Sequence, residues 1–183
     1  MAREVGQGTG SGGALIQATS TVNAFAIPAQ TPFHWASGTS TSGWGWKYPG
    51  RLGDSPVIGA GSYADSRYGA SACTGAGEMT IRAGTARAVV LYMKMGMSVE
   101  RAVSEAVDDM RALKGGLISR VTIHAIDAAG NHRVVAVNGL PGNHYWVWTP
   151  AMAQPERRAC ELIQISEGEP QSKRIAMQVY TDV

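Results

Sequence analysis

Four glycines fall within the twelve residues Gly50-Arg51-Leu52-Gly53-Asp54-Ser55-Pro56-Val57-Ile58-Gly59-Ala60-Gly61, which argues against a regular element there and makes the stretch a tight loop. That loop carries a fixed cation, Arg51, and a fixed anion, Asp54, three residues apart. The planar fork of an arginine suits a carboxylate and an aspartate suits an ammonium group, so the pair can grip an α-amino acid by both charged ends. An ordinary surface ion pair would use the same two residues and contribute little. Flanking glycines that let a ligand approach the backbone, and a turn stiffened by Ser55-Pro56, tilt the reading towards the grip.

The rest of the chain places this loop between regular elements. Residues 43–77 read as one long loop rich in Gly, Ser, Tyr and Trp, and a loop of that length in a compact domain is usually functional. Before it, Thr21 to Ile27 alternates as a strand does, Pro28 ends the run, and Phe33 to Ser40 returns as a second strand. After it, Ile81, Thr85, Val89 and Tyr92 recur at helical steps and predict a helix from about Glu78 to Met95. Ser98 suits the N-cap of a second helix, whose apolar stripe is Val99, Ala102, Val103, Ala106, Val107, Met110 and Leu113, with Gly115-Gly116 as the stop. Arg120–Asp127 and Arg133–Val137 form a hairpin about Ala129-Gly130-Asn131; Tyr145–Trp148 is a further strand, with Leu162–Ile165 and Ile175–Tyr180 as short edge strands. Strand, helices, strands predicts a layered α+β fold. Residues 1–20, with Gly8-Thr9-Gly10-Ser11-Gly12-Gly13, read as a flexible segment, and residues 21–183 as one domain.

A net charge of +2 spread over interspersed residues offers no basic run for nucleic acid or a membrane surface, so neither is expected as a partner. The longest apolar runs fall far short of the roughly 20 residues that span a bilayer. The first residues lack the apolar core of a secretory signal, which points to the cytoplasm. The two cysteines, Cys73 and Cys160, have no C-x-x-C spacing and are expected as small buried hydrophobes. His34, His124, His132 and His144 lack metal-ligand spacing, and neither a metal nor a cofactor is expected. No Ser-His-Asp triad is legible. Thr74-Gly75, just before the first helix, offers a hydroxyl and a backbone N–H to an oxyanion; as a helix N-cap, Thr74 would spend its oxygen on the helix instead. Trp44, Trp46, Tyr48, Trp146 and Trp148 are expected as core or interface aromatics rather than the lining of a sugar site.

Three segments in order, Ser37-Gly38-Thr39-Ser40-Thr41-Ser42-Gly43-Trp44, Lys47 to Asp65 with Gly50-Arg51-Leu52-Gly53-Asp54-Ser55-Pro56 at its centre, and Thr74-Gly75-Ala76-Gly77-Glu78, resemble the β-subunit of the asparaginase family of N-terminal nucleophile hydrolases. That family includes the glycosylasparaginases and the isoaspartyl peptidase/L-asparaginases, and the resemblance runs from about Thr21 to Val137. It implies an αββα four-layer sandwich to which this chain supplies the β-subunit portion, residues 1–20 being a linker or a remnant of the α-subunit. It further implies a precursor that cuts itself before Thr21 and so frees that residue's α-amino group as the base for its own hydroxyl. By the same resemblance Thr41 sits beside the nucleophile, Arg51 holds the substrate α-carboxylate, Asp54 its α-ammonium group, Thr74 and Gly75 form the oxyanion hole, and Gly77 lines the pocket. The implied substrate is an asparagine-type side-chain amide, glycosylasparagine first and isoaspartyl peptide or asparagine as the alternative. The implied partners are an α-subunit and an (αβ)₂ assembly. The expectation from another class is a non-catalytic fragment or binding protein that lacks the α half.

Overall fold

The computed structural model describes residues 15–17, 22–26, 35–41, 43–44, 46–115, 118–149 and 151–166, the strands before residue 35 by their backbone alone. At its centre is a five-stranded sheet built from β4 (Ser62–Asp65), β5 (Gly69–Gly75), β6 (Val121–Asp127), β7 (His132–Val137) and β10 (Glu161–Ile163). The spatial order is β10-β7-β6-β5-β4. β4 to β7 pair antiparallel with their neighbours, and β10 adds in parallel to β7. β1 (Leu15–Gln17), β8 (His144–Trp148) and β9 (Glu156–Ala159) form a second sheet in the order β1-β8-β9, and β2 (Val22–Ala26) pairs antiparallel with β3 (Ala36–Ser40) in a third.

Helices α1 (Gly77–Ala83), α2 (Thr85–Lys94) and α3 (Val99–Arg111) cover one face of the central sheet. There Met79, Val89, Val103, Val107 and Met110 meet Cys73, Val121, Ile123, Ala125, Val135 and Val137. The opposite face, with Ala70, Ala72, Ile126, Val134 and Ala136, packs on Trp35, Tyr145, Val147 and Cys160. The described residues thus form an α+β arrangement with the central sheet buried on both faces, so that in β6 Val121, Ile123 and Ala125 face the helices while His124 and Ile126 are buried as well.

Both cysteines are buried and free, as expected. Ser98 caps α3, its Oγ accepting from the Arg101 N–H, and the six stripe residues from Val99 to Met110 are buried. The hairpin turn forms where the glycine predicts it, with the Asp127 Oδ1 accepting from the N–H groups of Ala129 and Asn131 and Gly130 at φ +92°.

Two expectations are corrected. The single helix from Glu78 to Met95 is two helices, because Gly84 adopts φ +59°, closes α1 and opens α2. The change of direction leaves Ile81 exposed while Thr85 and Val89 are buried. The loop across residues 43–77 contains β4 and β5. β4 is the short Ser-Tyr-Ala-Asp run and β5 is built from Gly, Ala, Ser, Cys and Thr, a composition that reads as loop, yet Gly69–Thr74 is buried throughout, where small side chains suit the close approach of layers on both faces. Of residues 1–20, Leu15–Gln17 forms β1 against β8; the segment Gly8 to Gly13 and the strand expected at Ile175–Tyr180 lie outside the described residues.

Beside the buried Cys73 thiol, this sheet holds a buried histidine. His124, in β6, is fully buried, and burial pushes its imidazole down to about 4, against a hydrogen bond with the Ala72 backbone that acts the other way. In the unfolded chain a histidine titrates near 6.5. Between these values the unfolded state binds the extra proton, so stability is intact above the unfolded pKa and is lost as pH falls through the window from about 6.5 to 4, by about 3 kcal/mol. Urea unfolding from pH 7 to pH 4 checks this, wild type losing that much more than the His124→Asn variant.

Candidate functional site

A cleft of about 600 Å³ opens where the end of β3, the 43–56 segment and the end of β5 meet, and Thr39, Thr41, Trp44, Arg51, Asp54 and Gly75 are among its lining residues. Asp54 lies at the start of a turn closed by the Val57 N–H donating to the Asp54 carbonyl at 2.9 Å. Its side chain is only 6% exposed. It packs on the first residue of α1 so closely that a Cβ on Gly77 would stand 2.6 Å from the Asp54 backbone nitrogen and 3.0 Å from its Oδ1. The Thr80 hydroxyl, one helical step on, donates to the Asp54 Oδ2 at 2.7 Å. Burial raises the Asp54 carboxyl above its ordinary value, with the Thr80 hydrogen bond and the Arg51 charge pulling it back.

Arg51 is held from two sides. Its Nε donates to the Glu78 Oε1 at 2.9 Å, and its guanidinium lies over the Trp44 ring at 4.9 Å. The Arg51 Nη2 stands 2.7 Å from the same Glu78 oxygen but out of line for a hydrogen bond, so this buried donor and the Glu78 Oε2 both lack a hydrogen-bond partner among the described residues. Trp44 is fixed in turn, its indole N–H donating to the Gly75 carbonyl at 3.2 Å. A two-sided clamp of this kind sets the guanidinium plane before any ligand arrives, which lowers the entropy lost on binding.

Gly75 ends β5 at φ +120°, and a Cβ there would stand 2.2 Å from the Arg120 carbonyl oxygen, so only glycine fits this turn out of the sheet. Thr74 precedes it, buried in β5, and is not among the cleft-lining residues. The alternative use of Thr74 as a helix cap does not hold: α1 is capped at Ala76, which offers no side-chain oxygen. Thr41 lies at the cleft, its Oγ1 accepting from the Gly43 N–H at 3.0 Å. Thr21 lies outside the described residues. The structure therefore brings Thr41, Arg51, Asp54 and Gly75 to one cleft, with Gly77 as the surface on which Asp54 rests.

Three neighbours were missed by the sequence reading. Glu78 orients Arg51, Thr80 holds Asp54, and Trp44 stacks on Arg51 instead of entering a core. Gly77 and Thr80 are three apart on a helix and so share a face, a signal that points to Thr80. Of the aromatics expected in a core or an interface, Trp44, Trp46, Tyr48 and Trp146 are exposed and so do not belong to the core of this chain.

The family model described as Asparaginase matches residues 6–137. The chain belongs to the asparaginase family. This family carries the N-terminal nucleophile hydrolase fold, with which the α+β arrangement agrees. A Drosophila melanogaster protein provisionally named N4-(β-N-acetylglucosaminyl)-L-asparaginase is 33% identical over 157 residues, 86% of this chain and 38% of that protein. An isoaspartyl peptidase/L-asparaginase of Mus musculus is 41% identical over 97 residues, 53% of this chain and 29% of the relative. The N4-(β-N-acetylglucosaminyl)-L-asparaginase of Rattus norvegicus is 46% identical over 74 residues, 40% and 21% of the respective lengths. The matched stretch thus spans at most 38% of these relatives.

In this asparaginase-family chain the contact between Gly77 and Asp54 leaves no room for a methyl group. Gly77→Ala is expected to displace the Asp54 turn and cost about 1–3 kcal/mol, the usual penalty of overpacking; a shift of the urea midpoint, with Gly84→Ala as a second helix-end comparison, measures it.

Proposed function

We propose that this chain is the β-subunit portion of an amidohydrolase that cleaves the side-chain amide of an asparagine-type substrate, with Thr21 as nucleophile once the Ser20–Thr21 bond is cut. The observation that carries the reading is the oppositely charged pair in the cleft: a guanidinium clamped by Glu78 and Trp44, and a buried carboxylate fixed by Thr80. Those two groups match the carboxylate and ammonium ends of an α-amino acid, and leave its side chain free to reach the catalytic group. Further support comes from the register of the first hairpin, in which Val22 and Ser40, the chain neighbours of Thr21 and Thr41, are Cα partners.

In this mechanism the α-amino group of Thr21 takes the proton of its own hydroxyl as the oxygen attacks the amide carbon. Thr74 and Gly75 stabilise the tetrahedral oxyanion through a hydroxyl and an N–H. The carbon–nitrogen bond breaks, the amine leaves with the proton, and a β-aspartyl ester remains on Thr21. Water then attacks the ester, releasing aspartate and restoring the hydroxyl. Thr41 orients the nucleophile. The remaining wall of the cleft and the completed αββα sandwich come from an α-subunit in an (αβ)₂ assembly. Both enzyme names occur among the relatives, and the leaving group is settled by comparing glycosylasparagine, isoaspartyl dipeptide and asparagine as substrates, glycosylasparagine being the preferred one.

N-terminal sequencing and intact mass after incubation with a family α-subunit test the nucleophile: a new terminus at Thr21 with aspartate release is expected, and a chain still whole and inactive overturns the proposal. In the active enzyme Arg51→Gln should raise KM about 10- to 150-fold, hydrogen bonds to charged groups being worth about 1.5–3 kcal/mol. Asp54 must be ionised to hold an ammonium group, so KM should rise as pH falls through its carboxyl pKa, at a pH above the ordinary aspartate value because burial raises it.

A further inference from the structure

A second hollow, of about 390 Å³, lies between the Val57–Ala60 turn and the helices, and shares no residue with the cleft. That volume falls in the range of about 300–1,000 Å³ usual for small-ligand sites. Val57, Ile58, Ile81 and Leu91 give it apolar walls, and Arg87 from α2 and Asp109 from α3 supply one charge of each sign. Ile58 is 87% exposed, so part of this apolar surface stands in water.

The two charges do not pair with each other. Among the described residues the Arg87 guanidinium makes no hydrogen bond or ion pair, and Asp109 uses Oδ2 to accept from the Tyr92 hydroxyl at 2.5 Å while Oδ1 makes no hydrogen bond. Each is anchored on its own side. The Arg87 N–H donates to the Gly59 carbonyl at 2.8 Å, and the Arg87 Cβ lies 3.2 Å from where a Gly59 Cβ would stand, so the arginine stem rests on the turn. Tyr92 ties Asp109 to α2. Opposite charges that line one hollow without pairing present a dipole to whatever enters, and the complement of a cation and an anion beside apolar walls is a zwitterion with an apolar side chain.

We propose that this hollow is a second ligand site that takes an apolar α-amino acid, its carboxylate on Arg87, its ammonium group on the Asp109 Oδ1 and its side chain between Val57, Ile58, Ile81 and Leu91. The site is independent of the amidohydrolase reading.

L-Leucine is the probe, with 4-methylpentanoate and isoamylamine as arms that each lack one charged end. Saturation-transfer NMR on the intact chain should show leucine binding with both amines and acids of the same skeleton at least tenfold weaker. Arg87→Gln, an exposed substitution that leaves the fold intact, and Asp109→Asn should each weaken leucine at least tenfold, while Arg51→Gln, in the cleft, leaves it unchanged. Thermal unfolding of each variant separates loss of the site from loss of the fold, and Arg87→Gln decides the matter if Asp109→Asn is unstable. Leucine binding that survives Arg87→Gln, disappears with Arg51→Gln or is absent from wild type overturns the proposal. So does a dimer that Ile58→Lys dissociates in the absence of leucine binding, which would assign the apolar walls to a second copy of the chain.

Discussion

Burial of β5 on both faces is the constraint on which the remainder of the structure rests. Helices press on one side of Gly69–Gly75 and the Trp35, Tyr145 and Val147 layer on the other, so the strand carries Gly, Ala, Ser, Cys and Thr where larger side chains would force the layers apart. Its edges pair with β4 and β6, and its last residue turns directly into α1. Everything at the cleft that depends on α1, namely the Gly77 surface under Asp54, the Glu78 carboxylate on Arg51 and the Thr80 hydroxyl, is placed by where this one strand stops. Gly75 makes the stop sharp.

The same strand explains what could and could not be read from residues alone. Elements held by a strong local signal were legible: the α3 stripe with its Ser98 cap, the Asp127–Asn131 turn, and the first hairpin. β4 and β5 were not, since β4 is only four residues long and the small residues of β5 look like loop until the packing of two layers makes them a strand. Gly84 was visible as a residue but not as a break, because a glycine inside a helical pattern is often tolerated. At the cleft, Arg51, Asp54 and Gly75 stood out by charge and glycine spacing. Glu78 and Thr80 did not, because their importance comes from facing a loop more than twenty residues earlier in the chain. Trp44 was read as a core or interface aromatic, and it serves as the flat surface beneath a guanidinium.

The turn from Asp54 to Gly61 links two regions with different surroundings. Asp54 at its start is pressed onto α1, while Val57 to Ala60 lean on α2 through the Arg87 N–H and the Gly59 carbonyl. At its far end the Cys73 N–H of β5 donates to the Gly61 carbonyl at 2.7 Å. The loop is therefore pinned at both ends and in the middle, with the Thr80 hydroxyl on the Asp54 carboxylate and the Thr39 hydroxyl on the Ser55 carbonyl adding side-chain hydrogen bonds beside the aspartate.

The clamp on Arg51 has an electrostatic consequence. Arg51 and Lys47 bring two positive charges to the walls and Asp54 one negative charge, and Glu78, behind the guanidinium and outside the walls, supplies the second, so the four groups together sum to zero. A neutral opening of this kind does not draw in ions by its overall field. It distinguishes molecules by the separation and orientation of their own two charges, and a simple anion or cation finds only half of its counterpart there. Encounter with a zwitterion should then change little with ionic strength, in contrast to enzymes whose entrances carry one sign.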